Sequence, residues 1–276
     1  MIYRYPLIVL GLCFVGYGEC DAGAHKKGEA INIPDVHLRA RGEAITAAEM
    51  ATLTRLEAPN SRIRDLTGIE YATELTVLNL GDVFINGNRI NSNDITDLSP
   101  LSGLIKLTEL YLHRNMIYDI SPLSDLTALE KLDVSANFFI SDISPLSDMV
   151  KMRTLYLYTN EISDLSPLWG LTDLRWLSLS NNLIWDISAL SGLTELRGLA
   201  LNINAVSDIS HLSGMIHMER LNIWDCDIVD LSPLVENTGL RGEKDFIDLR
   251  DNPLSDVSIN THIPALRERG VRVRLE

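Results

Sequence analysis

Residues 107–123 read LTELYLHRNMIYDISPL, and this phrase returns along the chain about every 22 residues. Its first leucine-type position recurs at Leu53, Leu75, Leu107, Leu129, Met152, Leu174, Leu196 and Met218. Its asparagine recurs in the same phase at Asn115, Asn137, Asn160, Asn182, Asn204 and Asn252, with Cys226 taking that place once. A period of about 20 to 29 residues with apolar positions in this order predicts a solenoid, in which each unit supplies one strand and a short helical return.

The letters of the repeat predict its local structure. Leu110 and Leu112 alternate with Glu109, Tyr111 and His113, which is the period-two pattern of a half-buried strand. The asparagine that follows is expected to satisfy backbone groups of neighbouring turns. Each Ser-Pro pair is expected to begin a turn or two of 3-10 or α-helix, with serine as the N-cap and proline in the first helical position.

An aspartate recurs at one position of the return segment in eight units. These residues are Asp97, Asp119, Asp142, Asp164, Asp186, Asp208, Asp230 and Asp256. We interpret them as hydrogen-bond acceptors within turns, because an aspartate side chain can accept from the backbone two residues further on. A calcium site is therefore not predicted from this row of acids.

These phrases resemble the 22-residue class of leucine-rich repeats found in bacterial internalins and in intracellular phosphatase-regulating proteins, over roughly residues 50–257. The resemblance implies an α/β solenoid, a right-handed superhelix with a concave parallel sheet and short 3-10 or α-helical convex returns. Residues 236–242, 249–255 and 259–266 are similar to the closing unit of secreted bacterial repeat proteins. A bacterial, exported protein is implied, whereas the partner is not, because this scaffold hosts many functions.

The first 24 residues are predicted to be an export signal. Arg4 supplies a positive start, and an apolar run from Leu7 to Val15 is followed by small residues. This run is too short to cross a membrane comfortably, since a spanning helix needs about 20 apolar residues. Cleavage after Gly18 and cleavage after Ala24 both fit, and Cys20 leaves lipidation as an alternative. We therefore expect a protein that is secreted, periplasmic or on the surface of a bacterium.

The rest of the chain divides into three predicted parts. They are residues 25–52, a linker and N-terminal capping segment; residues 53–257, the repeat domain with an insertion at 81–94; and residues 258–276, a C-terminal cap. A capping helix is expected to start within residues 33–40, and Asn86-Gly87 is expected to turn a small hairpin in the insertion. The insertion is either a recognition loop or a tolerated segment without function.

Composition and motifs disfavour several classes of function. A net charge of -14 and a pI near 4.8 disfavour nucleic acid and anionic membranes, which are bound mainly through positive charge. The sequence has no zinc-type histidine spacing, glycine-rich phosphate loop or nucleophile elbow. His113, Asp133 and Ser135 are expected close together, but an open sheet provides no water-excluded pocket or oxyanion donors. We expect no catalytic residue, metal or cofactor, and interpret Cys226 as a small buried thiol.

The outward strand positions are the predicted binding surface. Aromatic and arginine side chains, the types enriched in interface hot spots, concentrate there. The candidate partner-binding residues are Tyr111, His113, Tyr156, Tyr158, Trp176, Arg220 and Trp224. Trp169 and Trp185 lie in return segments and are interpreted as packing residues instead.

The favoured hypothesis is an exported, monomeric, non-enzymatic module that recognises a protein through its concave face. Glycan binding is an alternative, because aromatic rings also stack on sugars. A second alternative is an intracellular regulatory scaffold, if the N-terminus is not a signal. An enzyme of unrecognised type is the third.

Overall fold

A computed structural model describes residues 39–40, 43–44, 46–81, 84–85, 88–89 and 93–276. The predicted signal at residues 1–24 lies outside these residues. Ten parallel strands form one sheet, in which each strand lies between those of the preceding and the following repeat. They are β1 Arg55–Glu57, β2 Val77–Asn79, β3 Glu109–Tyr111, β4 Lys131–Asp133, β5 Thr154–Tyr156, β6 Trp176–Ser178, β7 Gly198–Ala200, β8 Arg220–Asn222, β9 Phe246–Asp248 and β10 Arg272–Arg274.

Short helices return the chain on the opposite side of each repeat. The 3-10 helices are Ile69–Tyr71, Ser99–Leu101, Ser121–Leu123, Ser144–Leu146, Ser166–Leu168, Ser188–Leu190 and Ser210–Leu212. The others are α1 Ala47–Met50, α2 Ser232–Glu236, a π-helical turn Ser258–His262 and α3 Ile263–Glu268. Leucines, isoleucines and other apolar side chains between sheet and returns form one continuous core through all repeats. This arrangement confirms the predicted right-handed solenoid with a concave parallel sheet.

The start of each return differs from the prediction. Serine was expected as the N-cap, but Ile120 holds that position before Ser121 and makes no capping hydrogen bond through its side chain. Ser121 is the first helical residue, and its backbone N–H donates to Asp119 Oδ1 at 2.8 Å. The aspartate supplies the capping oxygen from two residues upstream, so the helix begins at Ser121, one residue earlier than a serine cap would place its start.

Seven of the eight predicted aspartates accept this hydrogen bond. Asp256 does not, because the N–H of Ser258 donates to Ser255 Oγ at 3.1 Å where the π-helical turn begins. Asp65 accepts the equivalent bond from Thr67 at 2.8 Å in the first return. The aspartates therefore have a structural role in the returns.

The buried asparagines join successive repeats. Asn182 Oδ1 accepts from the N–H of Ile162 at 3.0 Å, and Asn182 Nδ2 donates to the carbonyls of Leu157 at 3.1 Å and Leu179 at 2.9 Å. These are backbone groups that would otherwise be buried without partners. Asn93, at the end of the insertion, bonds in the same way to Ile63 and Leu80 but was not predicted, because the insertion hides its phase.

The repeat that begins at Leu129 contains one extra residue, placed after Asn137. Phe138 adopts a positive φ of 72°, and the side chains of Phe138 and Phe139 are 50% and 51% exposed. The side-chain oxygens of Asn137 and Asn182 each accept from an N–H 20 residues earlier, but Asn160 Oδ1 is buried without a hydrogen-bond donor in the described residues. The asparagine row is therefore weakened at this repeat.

The ends and the insertion complete the fold. Residues 39–40 were expected in a capping helix, but they are extended and pair antiparallel with residues 43–44. The N-terminal helix is α1 instead, held by a capping box in which Thr46 and Glu49 exchange hydrogen bonds. The insertion contains the expected hairpin pairing, with Phe84 opposite Arg89. None of the helices within residues 46–81 and 93–276 is long and apolar enough to span a bilayer.

Candidate binding surface

The strand register aligns the outward residues of the sheet in rows, which we call the concave face. One row is Arg55, Val77, Glu109, Lys131, Thr154, Trp176, Gly198, Arg220, Phe246 and Arg272. The next is Glu57, Asn79, Tyr111, Asp133, Tyr156, Ser178, Ala200, Asn222, Asp248 and Arg274. Because strands stack about 4.8 Å apart, the face is roughly 40 Å long.

The central aromatic residues lie on the outer surface of the sheet. Tyr156, Tyr158 and Trp176 are partly exposed, and none belongs to the core. The indole of Trp176 lies against Gly198, where an added Cβ would be 2.2 Å from Trp176 Cε3. Glycine at this position therefore lets the indole lie over β7, on the side away from Tyr156.

Near the N-terminal end, Tyr111 is held by its neighbours. Its hydroxyl donates to Glu109 Oε2 at 2.8 Å, and Lys131 Nζ lies 3.2 Å from Glu109 Oε1. Burial and the hydrogen bond to Glu109 raise the pKa of Tyr111 well above its ordinary value. The phenol therefore stays protonated and fixed on the sheet, with part of its ring open to solvent.

His113, Asp133 and Ser135 come together, but not in the order that nucleophilic catalysis requires. His113 Nδ1 lies 3.2 Å from Asp133 Oδ2, and the hydroxyl of Ser135 donates to Asp133 Oδ1. The aspartate stands between the other two, so the imidazole is not placed to take the serine proton. The ring also packs on Gly81, where a Cβ would lie 2.3 Å from His113 Nδ1.

The C-terminal end of the concave face carries a group of arginines, which we call the basic end. It consists of Arg220, Trp224, Phe246, Asp248, Arg250, Arg272 and Arg274. The guanidinium of Arg250 bonds Asp248 through two nitrogens, at 2.8 and 2.7 Å, and lies 5.2 Å from the ring centroid of Trp224. Arg272 lies 5.8 Å from the ring centroid of Phe246, and Arg274 lies 3.8 Å from Asp248. Burial alone would raise the pKa of Asp248, but the hydrogen bonds from Arg250 lower it below its ordinary value.

The structure brings the predicted residues Arg220 and Trp224 into the basic end and adds Arg250, Arg272 and Arg274, which were not among the predicted binding residues. Arg272 and Arg274 lie on β10, within a segment interpreted only as a cap. A signal was present, since Val271, Val273 and Leu275 alternate with these arginines in the period of a strand.

Several large aromatic side chains lie outside the concave face. Trp169 and Trp185 were expected to pack, but they are 76% and 67% exposed, so that interpretation is wrong. Trp169 is the last residue of a return, directly after the 3-10 helix Ser166–Leu168. Ser124 occupies the equivalent position two repeats earlier, and both positions face solvent. Tyr118, like Phe138 and Phe139, is also exposed and was not predicted to be.

Within residues 46–81 and 93–276, no three histidine, cysteine or acidic side chains converge as a metal site would require. Cys226 is 5% exposed, which confirms the predicted buried thiol. Burial raises its pKa to about 11. The predicted partner-binding residues lie together on the concave face.

A family described as Leucine Rich repeats (2 copies) matches residues 105–148, 127–168, 150–192 and 172–214. A comparison with curated proteins found no match. Among solved structures, an internalin (inlF) of Listeria monocytogenes is 33% identical with a TM-score of 0.74, covering 86% of this chain. The chain spans 65% of that internalin's own length. A leucine-rich repeat protein of Leptospira interrogans, 17% identical with a TM-score of 0.69, shares the fold over 83% of this chain and 62% of its own.

Internalin C2 (inlC2) of Listeria monocytogenes is 34% identical with a TM-score of 0.66, and the match covers 73% of this chain and 84% of that one. This identity extends over most of both chains, and the family model matches repeats that contribute strands to the parallel sheet. The chain therefore belongs to the internalin-like class of leucine-rich repeat proteins.

Proposed function

We propose that this protein is an exported, non-enzymatic, monomeric module that captures a protein partner on its concave face. One observation carries the proposal: aromatic and arginine side chains lie partly exposed on a continuous rigid sheet. They are Tyr111, Tyr156, Tyr158, Trp176, Arg220 and Trp224, with His113 beside them. A face roughly 40 Å long is sufficient for a standard interface of about 800 Å² per partner.

Trp176 and Tyr156 are the proposed anchors. Both combine a large apolar area with a polar group that can hydrogen-bond at an interface. Trp176 rests on Gly198, so its indole is already ordered before a partner arrives. An ordered side chain loses less conformational entropy on binding, which favours a hot spot at this position.

A binding role fits the geometry better than catalysis does. The concave face is open, and Asp133 separates His113 from Ser135. Members of the leucine-rich repeat fold commonly act as interaction modules, and the internalins that resemble this chain are bacterial. The open face and the leucine-rich repeat fold both support capture of a protein rather than turnover of a substrate.

Export is part of the proposal and rests on residues 1–24, outside the described residues. Expression in a bacterial host followed by mass spectrometry of the N-terminus is the test. We expect a mature chain that begins after Gly18 or after Ala24. An N-terminus that retains Met1 in the folded product would contradict export and favour the intracellular scaffold.

The binding test compares capture by three forms of the immobilised protein. Protein extracts from the environment in which the native organism grows are passed over three immobilised proteins. These are the wild type, the Tyr156→Ala/Trp176→Ala variant and Trp169→Ala as a matched control. The side chain of Trp169 is 76% exposed and lies outside the concave face, so its removal controls for nonspecific adhesion through an exposed aromatic ring. Circular dichroism and urea unfolding establish that each variant is folded.

We expect wild type and Trp169→Ala to recover the same partner, and the concave double variant to recover at most about one hundredth as much. Two hot spots of about 2 kcal/mol each would weaken affinity about 1,000-fold without coupling between them, so a hundredfold loss is a lower bound. Equal recovery by all three forms would remove the concave face from the proposal. Loss with Trp169→Ala alone would move the binding site to the convex side.

A further inference from the structure

The two ends of the concave face differ in charge. Near the N-terminal end, Arg55 pairs with Glu57 and Lys131 pairs with Glu109, so charges of opposite sign alternate. At the basic end, four arginines lie on or beside β8, β9 and β10, and two of them, Arg250 and Arg274, approach the carboxylate of Asp248. The whole chain has a net charge of -14. The basic end is therefore a local positive surface on an acidic protein.

Two of these arginines have guanidinium groups available for a partner. Arg220 and Arg272 are exposed, and neither forms an ion pair with another of the described residues. Arg250 and Arg274 both approach Asp248, so that carboxylate is already engaged. Carboxylates of another molecule could pair with the guanidinium groups of Arg220 and Arg272, and Arg–carboxylate pairs are among the stronger hydrogen bonds in proteins.

The spacing of the arginines matches an extended peptide. Arg220, Phe246 and Arg272 occupy paired positions on three successive strands, so the Cα atoms of Arg220 and Arg272 are about 10 Å apart. Arg272 and Arg274 alternate on one strand and are about 7 Å apart. Alternate side chains of an extended segment lie on one side of it about 7 Å apart, a separation that the long side chains of Arg220 and Arg272 can bridge from Cα atoms about 10 Å apart.

The aromatic rings hold the arginines in place. Arg250 lies over Trp224, and Arg272 lies over Phe246. Cation–π contacts of this kind restrict the guanidinium groups without satisfying their N–H donors. Binding a carboxylate at Arg272 then costs less side-chain entropy than it would at an unrestricted arginine.

Two further features favour a peptide over a long polyanion. Asn222 lies on β8 beside Asp248, and its Oδ1 is buried without a hydrogen-bond donor in the described residues. A peptide N–H can supply that donor once the Asn222 amide turns toward the surface, whereas phosphate and sulfate groups supply only acceptors. The exposed carboxylates of Asp225 and Asp251 stand at the turns beside the basic end and repel an anion that extends past it.

We infer that the basic end binds a short acidic segment of the captured protein, whose carboxylates pair with Arg220 and Arg272 while a backbone N–H donates to Asn222. This inference rests on the proposed function and specifies the chemistry of the partner. Electrostatic attraction at the basic end then sets the orientation in which the partner meets the central aromatic residues.

The test uses a short fluorescein-labelled peptide of alternating glutamate and serine, with fluorescence anisotropy on the full chain. A peptide with glutamine in place of glutamate is the comparison. We expect the glutamate peptide alone to bind, and Arg220→Gln and Arg272→Gln each to weaken binding about 5- to 10-fold. Arg175→Gln, which alters an exposed arginine at the edge of β6, is the matched control and should bind as wild type does. Added salt should weaken binding of the glutamate peptide.

Three outcomes would overturn the inference. They are equal affinity for the glutamate and glutamine peptides, unchanged affinity in Arg220→Gln and Arg272→Gln, and tighter binding of single-stranded DNA or of phosphatidylserine vesicles than of the glutamate peptide. Partner capture separates this failure from failure of the proposed function. If the Tyr156→Ala/Trp176→Ala variant loses the partner but a variant with both Arg220→Gln and Arg272→Gln does not, only the inference of an acidic segment is wrong. If neither variant changes capture, the concave face itself is wrong.

Discussion

Replacing Cys226 with asparagine should stabilise the fold, because this position interrupts the asparagine row. The thiol lies 3.5 Å from the carbonyl oxygen of Leu201, and a thiol is a weak donor and a weak acceptor. One repeat earlier, Asn204 makes three hydrogen bonds: from the N–H of Ile184 at 3.0 Å, to Leu179 at 3.0 Å and to Leu201 at 2.7 Å. An asparagine at 226 would meet the same groups one repeat further on.

The magnitude follows from the difference in hydrogen bonds. Two additional bonds contribute about 0.5 to 1.5 kcal/mol each, and ordering the longer side chain costs about 0.5 to 1 kcal/mol. With the middle of each range, Cys226→Asn should therefore raise the free energy of unfolding by about 1 to 1.5 kcal/mol. With a urea dependence of about 3 kcal/mol per molar, the midpoint of unfolding rises by about 0.5 M.

The assay is urea unfolding followed by circular dichroism and by tryptophan fluorescence, since coincident transitions justify a two-state comparison. Asn204→Cys is the reciprocal variant and should lower the midpoint by a similar amount. Cys226→Ser is the matched control, because its short side chain cannot reach all three groups. A midpoint for Cys226→Asn at or below that of wild type would refute the reasoning about the asparagine row.

Four other predictions follow from the same structure. Asn182→Ala should destabilise the fold by about 1 kcal/mol more than Asn160→Ala in urea unfolding, because Asn160 Oδ1 has no donor to lose in the described residues; equal losses would contradict this. Gly198→Ala should displace the indole of Trp176 and shift its fluorescence emission, since the new Cβ would lie 2.2 Å from Cε3. Cys226, with a pKa of about 11, should resist iodoacetamide at pH 8 until urea unfolds the chain, because only about one thiol in a thousand is ionised there. Hydrogen bonds from the following serine lower the pKa of five aspartates from the ordinary 3.8: Asp97, Asp142, Asp186, Asp208 and Asp230. Their stabilisation is therefore complete above the unfolded pKa and lost as the pH falls below about 4 through the folded values, which urea midpoints between pH 7 and pH 3 will measure.

The regular part of the fold could be predicted because one pattern sets both the strand and its buried face. Leu110 and Leu112 point inward, so Glu109 and Tyr111 must point outward, since a strand places successive side chains on opposite faces. The register confirmed these outward rows from repeat to repeat. The tenth strand was missed because the last segment no longer carries the asparagine and Ser-Pro positions by which the other repeats are recognised.

Positions outside the strict repeat were predicted less well. Ser121 was expected as the N-cap from its general preference, which would make its side chain accept from an N–H further along the helix. Instead Ser121 is the first helical residue, and its own N–H donates to Asp119. The exposure of Trp169 was missed because a return segment has both buried and solvent-facing positions, and amino-acid type alone does not distinguish them. The large size of the indole suggested burial, but the position decides.

The candidate site was only partly accessible to prediction. The outward position of Trp176 follows from the repeat, but its packing on Gly198 depends on a contact with the next repeat. The same holds for Arg250, which lies over Trp224 and bonds Asp248. Such contacts depend on side-chain direction, which periodicity does not specify.

The amino-acid pattern is sufficient to specify the solenoid, the phase of its repeats and which residues face outward, because hydrophobic burial acts on every unit in the same way. Which outward side chains touch depends on the packing of one repeat on the next, since residues about 22 positions apart become neighbours at a strand spacing of about 4.8 Å. The basic end arises in this way, as β10 brings Arg272 and Arg274 beside Asp248 and Phe246. Its charge and its packed rings are properties of stacked strands and of no single repeat.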